Sequence, residues 1–216
     1  MEESQLEAIA SQLSCPQGEA GIEIGHKMNL LNTFITARTL EKLATRPGET
    51  IIEIGPGNGT LSEEMLNTLG AEGNYYGIEL SEDMANAAQQ RLSKNECNVE
   101  IMNCDCHHAD IPAQSADGIM AVNLLYFIED LEALFKQLKT WMKPGARVVF
   151  GVRSEKSLNS LPFVHYKFNV RTADEIVKIM NNNGFNNVDY SYHDEGEVML
   201  GDIPLLVDSV IIHGRA

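Results

Sequence analysis

Ile51-Ile52-Glu53-Ile54-Gly55-Pro56-Gly57-Asn58-Gly59 is the stretch on which the reading of this chain turns. A short run rich in β-branched residues leads straight into three glycines at alternate positions, and a helical pattern follows. Glycine carries no Cβ and tolerates positive φ, so the backbone can turn sharply at the end of a strand and approach a ligand closely. The pattern describes a nucleotide-type loop at the carboxyl end of a first strand. A dinucleotide fingerprint counted from Gly55 needs its third glycine at position 60, which is Thr60, and no Gly-Lys-Ser/Thr follows to make a phosphate loop. A cofactor without phosphates fits this spacing better.

Outward from the loop, short β-rich blocks alternate with stretches of helical period, the signature of βαβ units. Strands are expected over Thr50–Gly55, Asn74–Leu80, Val99–Cys104, Gly118–Asn123 and Ala146–Val152, and helices over Gly59–Leu69, Ser81–Lys94 and Glu129–Met142. Ser81 followed by Glu82 and Asp83 makes a sound helix start, and Lys143-Pro144-Gly145 reads as a helix stop. Regularity lapses over Arg153–Asn169, which is read as a lid or substrate loop. A helix over Thr172–Asn182 and two antiparallel edge strands, Asn187–Tyr192 and Leu205–His213, complete the chain. Residues 1–45, with helical patterns at Ser4–Leu13 and Met28–Ala44, read as an N-terminal extension that caps the site, and residues 46–216 as the domain proper.

At 216 residues the chain fits one domain, since domains run roughly 100 to 200 residues. A net charge of -15 repels a polyphosphate backbone and an anionic membrane surface, and the densest basic cluster, Arg147, Arg153 and Lys156, is thin. No nucleic acid and no membrane partner is expected. No apolar run approaches the roughly 20 residues of a membrane span, and the acidic start lacks the basic region of a secretory signal, so a cytoplasmic location is expected. The four cysteines suit a reducing compartment. Cys104-Asp105-Cys106-His107-His108 has the look of a metal cluster, but its cysteines stand too close and no second ligand pair closes a tetrahedron, so no metal is expected.

Glu79 ends the second strand twenty residues after Gly59, where a carboxylate can accept hydrogen bonds from a ribose diol. Asp105, at the end of the third strand, is the next candidate. With these residues in place the chain resembles the class I S-adenosylmethionine-dependent methyltransferases of the small-molecule group, from about Gly48 to Ala216. The resemblance implies a Rossmann-like α/β three-layer sandwich around a mostly parallel seven-stranded sheet of order 3-2-1-4-5-7-6. It implies that Glu53, Gly55, Gly57 and Gly59 meet the methionine part of S-adenosylmethionine and Glu79 its ribose. Leu80, Met84, Asp105 and Cys106 then surround the adenine, and Asn123 completes the cofactor site. Asp117-Gly118-Ile119, Asn123-Leu124-Leu125-Tyr126-Phe127 and Lys143-Pro144-Gly145 also resemble the family.

Asn123 and Tyr126 match two positions of the Asn-Pro-Pro-Tyr signature of amine-methylating relatives, but Leu124 and Leu125 replace both prolines. Leucines do not enforce the proline-shaped backbone that presents a carbonyl to the target amine, which argues against base or glutamine methylation. The expected activity is methyl transfer to a small-molecule acceptor, with S-adenosylhomocysteine as product. Such an in-line displacement asks chiefly for positioning. Where an oxygen acceptor needs a base, the candidates are Tyr126, His26 and His165, with Tyr166 beside the last. A non-catalytic S-adenosylmethionine-binding regulator would share the same binding half.

Overall fold

In the computed structural model, which describes residues 2–200 and 203–216, a single mixed sheet is sandwiched between helices. The order is α1 (Glu3–Ser14), α2 (Gly18–Leu43), β1 (Thr50–Ile54), α3 (Glu63–Leu69), β2 (Asn74–Glu79), α4 (Glu82–Leu92), β3 (Asn98–Asn103), β4 (Ala116–Val122), α5 (Leu131–Trp141), β5 (Met142–Val152), α6 (Glu155–Asn159), α7 (Ala173–Asn182), β6 (Asn186–Leu200) and β7 (Ile203–Arg215). Single 3-10 turns lie at Cys106–His108 and Leu125–Phe127.

The strands stand in the order β3-β2-β1-β4-β5-β7-β6, with β1 to β5 parallel and β7 antiparallel to both neighbours, as the resemblance implied. Alternation along each strand feeds two separate cores. Ile52, Ile54, Ile119, Val148, Phe150 and Ile212 meet Leu134, Phe135 and Leu138 of α5 and Ile176 and Met180 of α7. On the opposite face Ile51, Tyr75, Met120, Val149 and Ile211 meet Ile35 and Leu43 of α2, Leu66 and Leu69 of α3 and Leu92 of α4.

Helix ends follow local chemistry. Ser81 caps α4 by accepting from the Met84 amide at 3.2 Å, Asp130 caps α5, and Thr172 with Glu175 forms a reciprocal capping box on α7. The expected elements all occur, with shifts of boundary. α2 begins at Gly18, ten residues before the start expected at Met28, and its second half carries Ile35 and Leu43 into the core. The 1–45 segment is therefore continuous with the layer that covers one face of the sheet. Lys143-Pro144-Gly145, expected as a stop, lies inside β5, whose pairing with β4 steps from Met142 opposite Ala116 to Arg147 opposite Gly118, so these residues form a bulge of β5. Within the segment read as an irregular lid, Glu155–Asn159 is helical, because the Ser154 hydroxyl caps the Ser157 amide at 3.1 Å.

The terminal hairpin is longer than expected, with strands of 15 and 13 residues. β5 pairs with β7 only through Val210–Arg215, while the β6–β7 ladder continues out to Leu200 and Ile203. Since β7 runs against β5, the residues before Val210 project past Val152, beyond the carboxyl ends of the parallel strands. The hairpin becomes an arm that rises beside the end of the sheet where α/β folds bind ligands.

Candidate cofactor and acceptor site

The glycine loop leaves β1 at Gly55, whose amide donates to the carbonyl of Ile78 on β2 at 2.9 Å. Gly55, Gly57 and Gly59 hold φ of +76°, +58° and +75°. A Cβ built on Gly57 would meet nothing within 4 Å, so the loop faces open ground there. A Cβ on Gly59 would stand 2.9 Å from Leu92 Cγ, which shows that this glycine serves the packing of the loop on α4.

Glu79 sits beneath the loop. Its Oε2 accepts from the Gly57 amide and its Oε1 from the Ser81 amide, both at 2.9 Å. Burial pushes its carboxyl above the ordinary range, and the backbone amides of Ser81 and Gly57 work against that shift. A carboxylate offers about four lone-pair sites, so these amides leave room for a sugar hydroxyl.

Glu53 points to the α2–α3–α4 side of the sheet, where the Tyr75 hydroxyl donates to its Oε2 at 2.7 Å. It is buried, and desolvation raises its pKa. Leu80 is exposed and Met84 buried, the latter with its sulfur 3.2 Å from where a Cβ would stand on Gly25 of α2. Asp105 accepts from the His107 amide at 2.8 Å and so caps the 3-10 turn that carries Cys106. The ligand atoms of Asp105, Cys106 and His107 lie within 4.8 Å of one another. Burial, with the Asp105 charge beside it, pushes the Cys106 thiol up to about 12, which makes a metal-binding thiolate costly.

Asn123 follows β4 in a left-handed conformation, φ +54°, and its amide donates to Gly151 at 2.7 Å. Its side-chain Oδ1 is buried without a hydrogen-bond partner among the described residues. Tyr126, three residues on, is buried in an aromatic group with Phe168, stacked at 5.2 Å, and Phe127 at 4.8 Å. Burial raises its phenol, and the charge of Arg153 offsets part of the shift. His26 lies exposed on α2 and His165 exposed between α6 and α7, and neither ring forms a hydrogen bond among the described residues.

Residues that sequence reading passed over also converge here. Asn29 of α2 donates to Asn58 Oδ1 of the glycine loop at 3.1 Å, and Asn32 accepts from Asn123 Nδ2 at 2.8 Å. Their signal was a pair of amides one helical turn apart among leucines. Arg153, at the end of β5, pairs with Glu195 of the hairpin arm at 2.5 Å. The Ser81 hydroxyl bonds the Pro16 carbonyl, so the chain before α2 is tied to the start of α4.

Fold and site together define a class I S-adenosylmethionine-dependent methyltransferase. Residues 25–190 match the family model described as a methyltransferase domain, and the chain belongs to that family. It is 31% identical over 114 residues to phosphoethanolamine N-methyltransferase 1 of Arabidopsis thaliana, covering 53% of this chain and 23% of the plant enzyme. The matched stretch is thus less than a quarter of that relative's length. Among solved structures, an S-adenosylmethionine-dependent methyltransferase from Aquifex aeolicus superposes with a TM-score of 0.67 at 18% identity, over 100% of this chain and 98% of the other. The geranyl diphosphate C-methyltransferase of Streptomyces coelicolor does so with a TM-score of 0.70 at 14% identity, over 94% and 88%. These two likenesses concern the fold. The open ground before Gly57, the lone Asn123 Oδ1 and the remaining lone pairs of Glu79 make a set of acceptors beside open space, which suits the hydroxyls and the ammonium of S-adenosylmethionine. No helix among the described residues is long and apolar enough to cross a membrane.

Proposed function

We propose that this chain transfers a methyl group from S-adenosylmethionine to a small-molecule acceptor that enters beside Asn123, between α2, the hairpin arm and the 153–169 segment. The observation that carries the reading is the Glu79 carboxylate, bonded to the Gly57 amide at 2.9 Å beneath a loop that faces open space. The backbone of Gly55 and Gly57 would take the aminoacyl part of the cofactor, Glu79 the ribose, and Leu80, Met84, Asp105 and the Cys106 backbone the adenine. Bound there, the cofactor supplies an electrophilic methyl on a sulfonium.

The protein's own task is then to hold an acceptor atom about 3 Å from that carbon, in line with the leaving sulfur, and to keep water away. Tyr126, Phe127 and Phe168 serve as the wall of this space, and His26 and His165 are the candidate proton acceptors for a hydroxyl nucleophile. The acceptor classes of the relatives are carried in their names: phosphoethanolamine, demethylmenaquinone and geranyl diphosphate. Each is a small molecule.

The experiment is calorimetry with S-adenosylmethionine and S-adenosylhomocysteine, followed by transfer of labelled methyl to those three acceptors and to simple amines and phenols. Cofactor binding with labelled product supports the reading. Binding with no product from any acceptor supports a cofactor-binding regulator instead, and absence of binding sinks both.

A further inference from the structure

Three elements distant in sequence meet at Asn32 of α2. Arg153, at the end of β5, donates through Nη2 to the Leu31 carbonyl at 2.9 Å and to Asn32 Oδ1 at 3.5 Å. Through Nη1 it pairs with Glu195 on the hairpin arm and donates to the Asp208 carbonyl at 2.6 Å. The pair is shielded, with side-chain exposures of 10% and 12%. The Asn123 carboxamide donates through Nδ2 to the same Asn32 Oδ1 at 2.8 Å. Its other half, Oδ1, is the buried atom that has no partner among the described residues.

The chemistry of the three side chains gives this chain a direction. A guanidinium only donates, so Asn32 must turn its oxygen toward Arg153. Asn123 must then meet that oxygen with its NH2 group. What is left of Asn123 is an acceptor, and a buried acceptor left unmade is costly. It stands beside the glycine loop: β1 and β4 are in register at Ile54 and Ala121, and Leu124 comes within 3.7 Å of where a Cβ would stand on Gly55.

We infer that Asn32 and Arg153 are positioning residues that hold Asn123 Oδ1 as the acceptor for the ammonium at the aminoacyl end of the cofactor. The inference rests on the reading that S-adenosylmethionine occupies the glycine loop. An ammonium only donates, so it complements the one function that the relay leaves open. Glu195 has a part in this, because it neutralises Arg153, whose bare charge would repel a cation nearby. By the same contacts α2 and the hairpin arm are tied to the cofactor's aminoacyl end.

The test compares S-adenosylhomocysteine with 5′-methylthioadenosine, which keeps the adenosyl group and lacks the amino acid, by calorimetry on the full chain. Asn32→Leu is expected to weaken S-adenosylhomocysteine about tenfold, the worth of one charge-assisted hydrogen bond, and to leave 5′-methylthioadenosine unchanged. Arg153→Met combined with Glu195→Gln, which strands no buried charge, is expected to do the same. Asn32→Asp keeps an oxygen toward both donors and is expected to bind both ligands as the unaltered protein does. The relay is overturned if folded variants bind S-adenosylhomocysteine normally, if both ligands weaken together, or if Asn32→Asp behaves like Asn32→Leu. An unaltered protein that binds neither ligand sinks the cofactor reading and the relay with it, whereas unselective variants of a protein that binds sink the relay alone.

Discussion

Glu79 and Gly57, twenty-two positions apart, are joined by a hydrogen bond of 2.9 Å from the glycine amide to the carboxylate, so one side chain is both a strut of the loop and a candidate grip on the sugar. Its second oxygen accepts from the Ser81 amide. Glu79→Gln is therefore not a conservative change, because an amide has one acceptor atom and must turn its NH2 toward one of two backbone donors. The expected loss is about 1–3 kcal/mol of stability from the stranded amide, read from urea midpoints. Cofactor affinity should fall at least about tenfold in the same variant, read by calorimetry.

Gly57 and Gly59 should fail in different ways. Alanine at either position takes a left-handed conformation at a cost of about 1–2 kcal/mol. At Gly57 a Cβ meets open ground, so Gly57→Val should fold and lose cofactor binding. At Gly59 a Cβ presses on Leu92 and Ala88, so Gly59→Ala should lose a further 1–3 kcal/mol or so from overpacking, read from thermal and urea unfolding.

Glu53 gives a pH-dependent prediction. Burial raises its pKa in the folded chain, so the folded state holds the proton more tightly than the unfolded state. Its favourable contribution is present in acid, below the unfolded pKa, and is lost as pH rises through the folded value. Glu53→Gln keeps an oxygen for the Tyr75 hydroxyl and removes the buried charge. The variant is expected to be the more stable at pH 7.5, with the difference shrinking as pH is lowered toward the ordinary carboxyl range, in urea unfolding at several pH values.

For Tyr126 burial points to a wall more than to a base. Its phenol is raised, so the phenolate is scarce at neutral pH. A general base is worth about 10²–10⁴-fold, and Tyr126→Phe is expected to cost much less than that in kcat, with no change in the shape of its pH profile. Tyr126→Ala should instead lose about 3–5 kcal/mol of stability, since Phe127 and Phe168 lose the ring they pack on.

The legible part of this protein was the part written in consecutive residues. The alternation of β-rich and helical blocks, the glycines after β1 and the acid at the end of β2 follow from steric and hydrogen-bonding preferences that act over a few residues and one βαβ step. Those preferences were enough for the layers, the binding loop and Glu79. The resemblance those motifs carried supplied the strand order. Boundaries shifted where tertiary packing outweighed local propensity: α2 runs on through Gly21 and Gly25, which lie close against Pro16 and Met84, and Lys143-Pro144-Gly145 is carried into β5 by a bulge.

The identities of Asn32, Arg153 and Glu195 as neighbours had no such trace. They lie 121 and 42 positions apart, on a helix, a strand end and an arm of ordinary composition. Only the closing of the sheet, with β7 inserted antiparallel between β5 and β6, brings them together. A hydrogen bond depends on position in space to a few tenths of an ångström and leaves no periodicity behind, so the polar chain from Glu195 to Asn123 belongs to the tertiary structure alone.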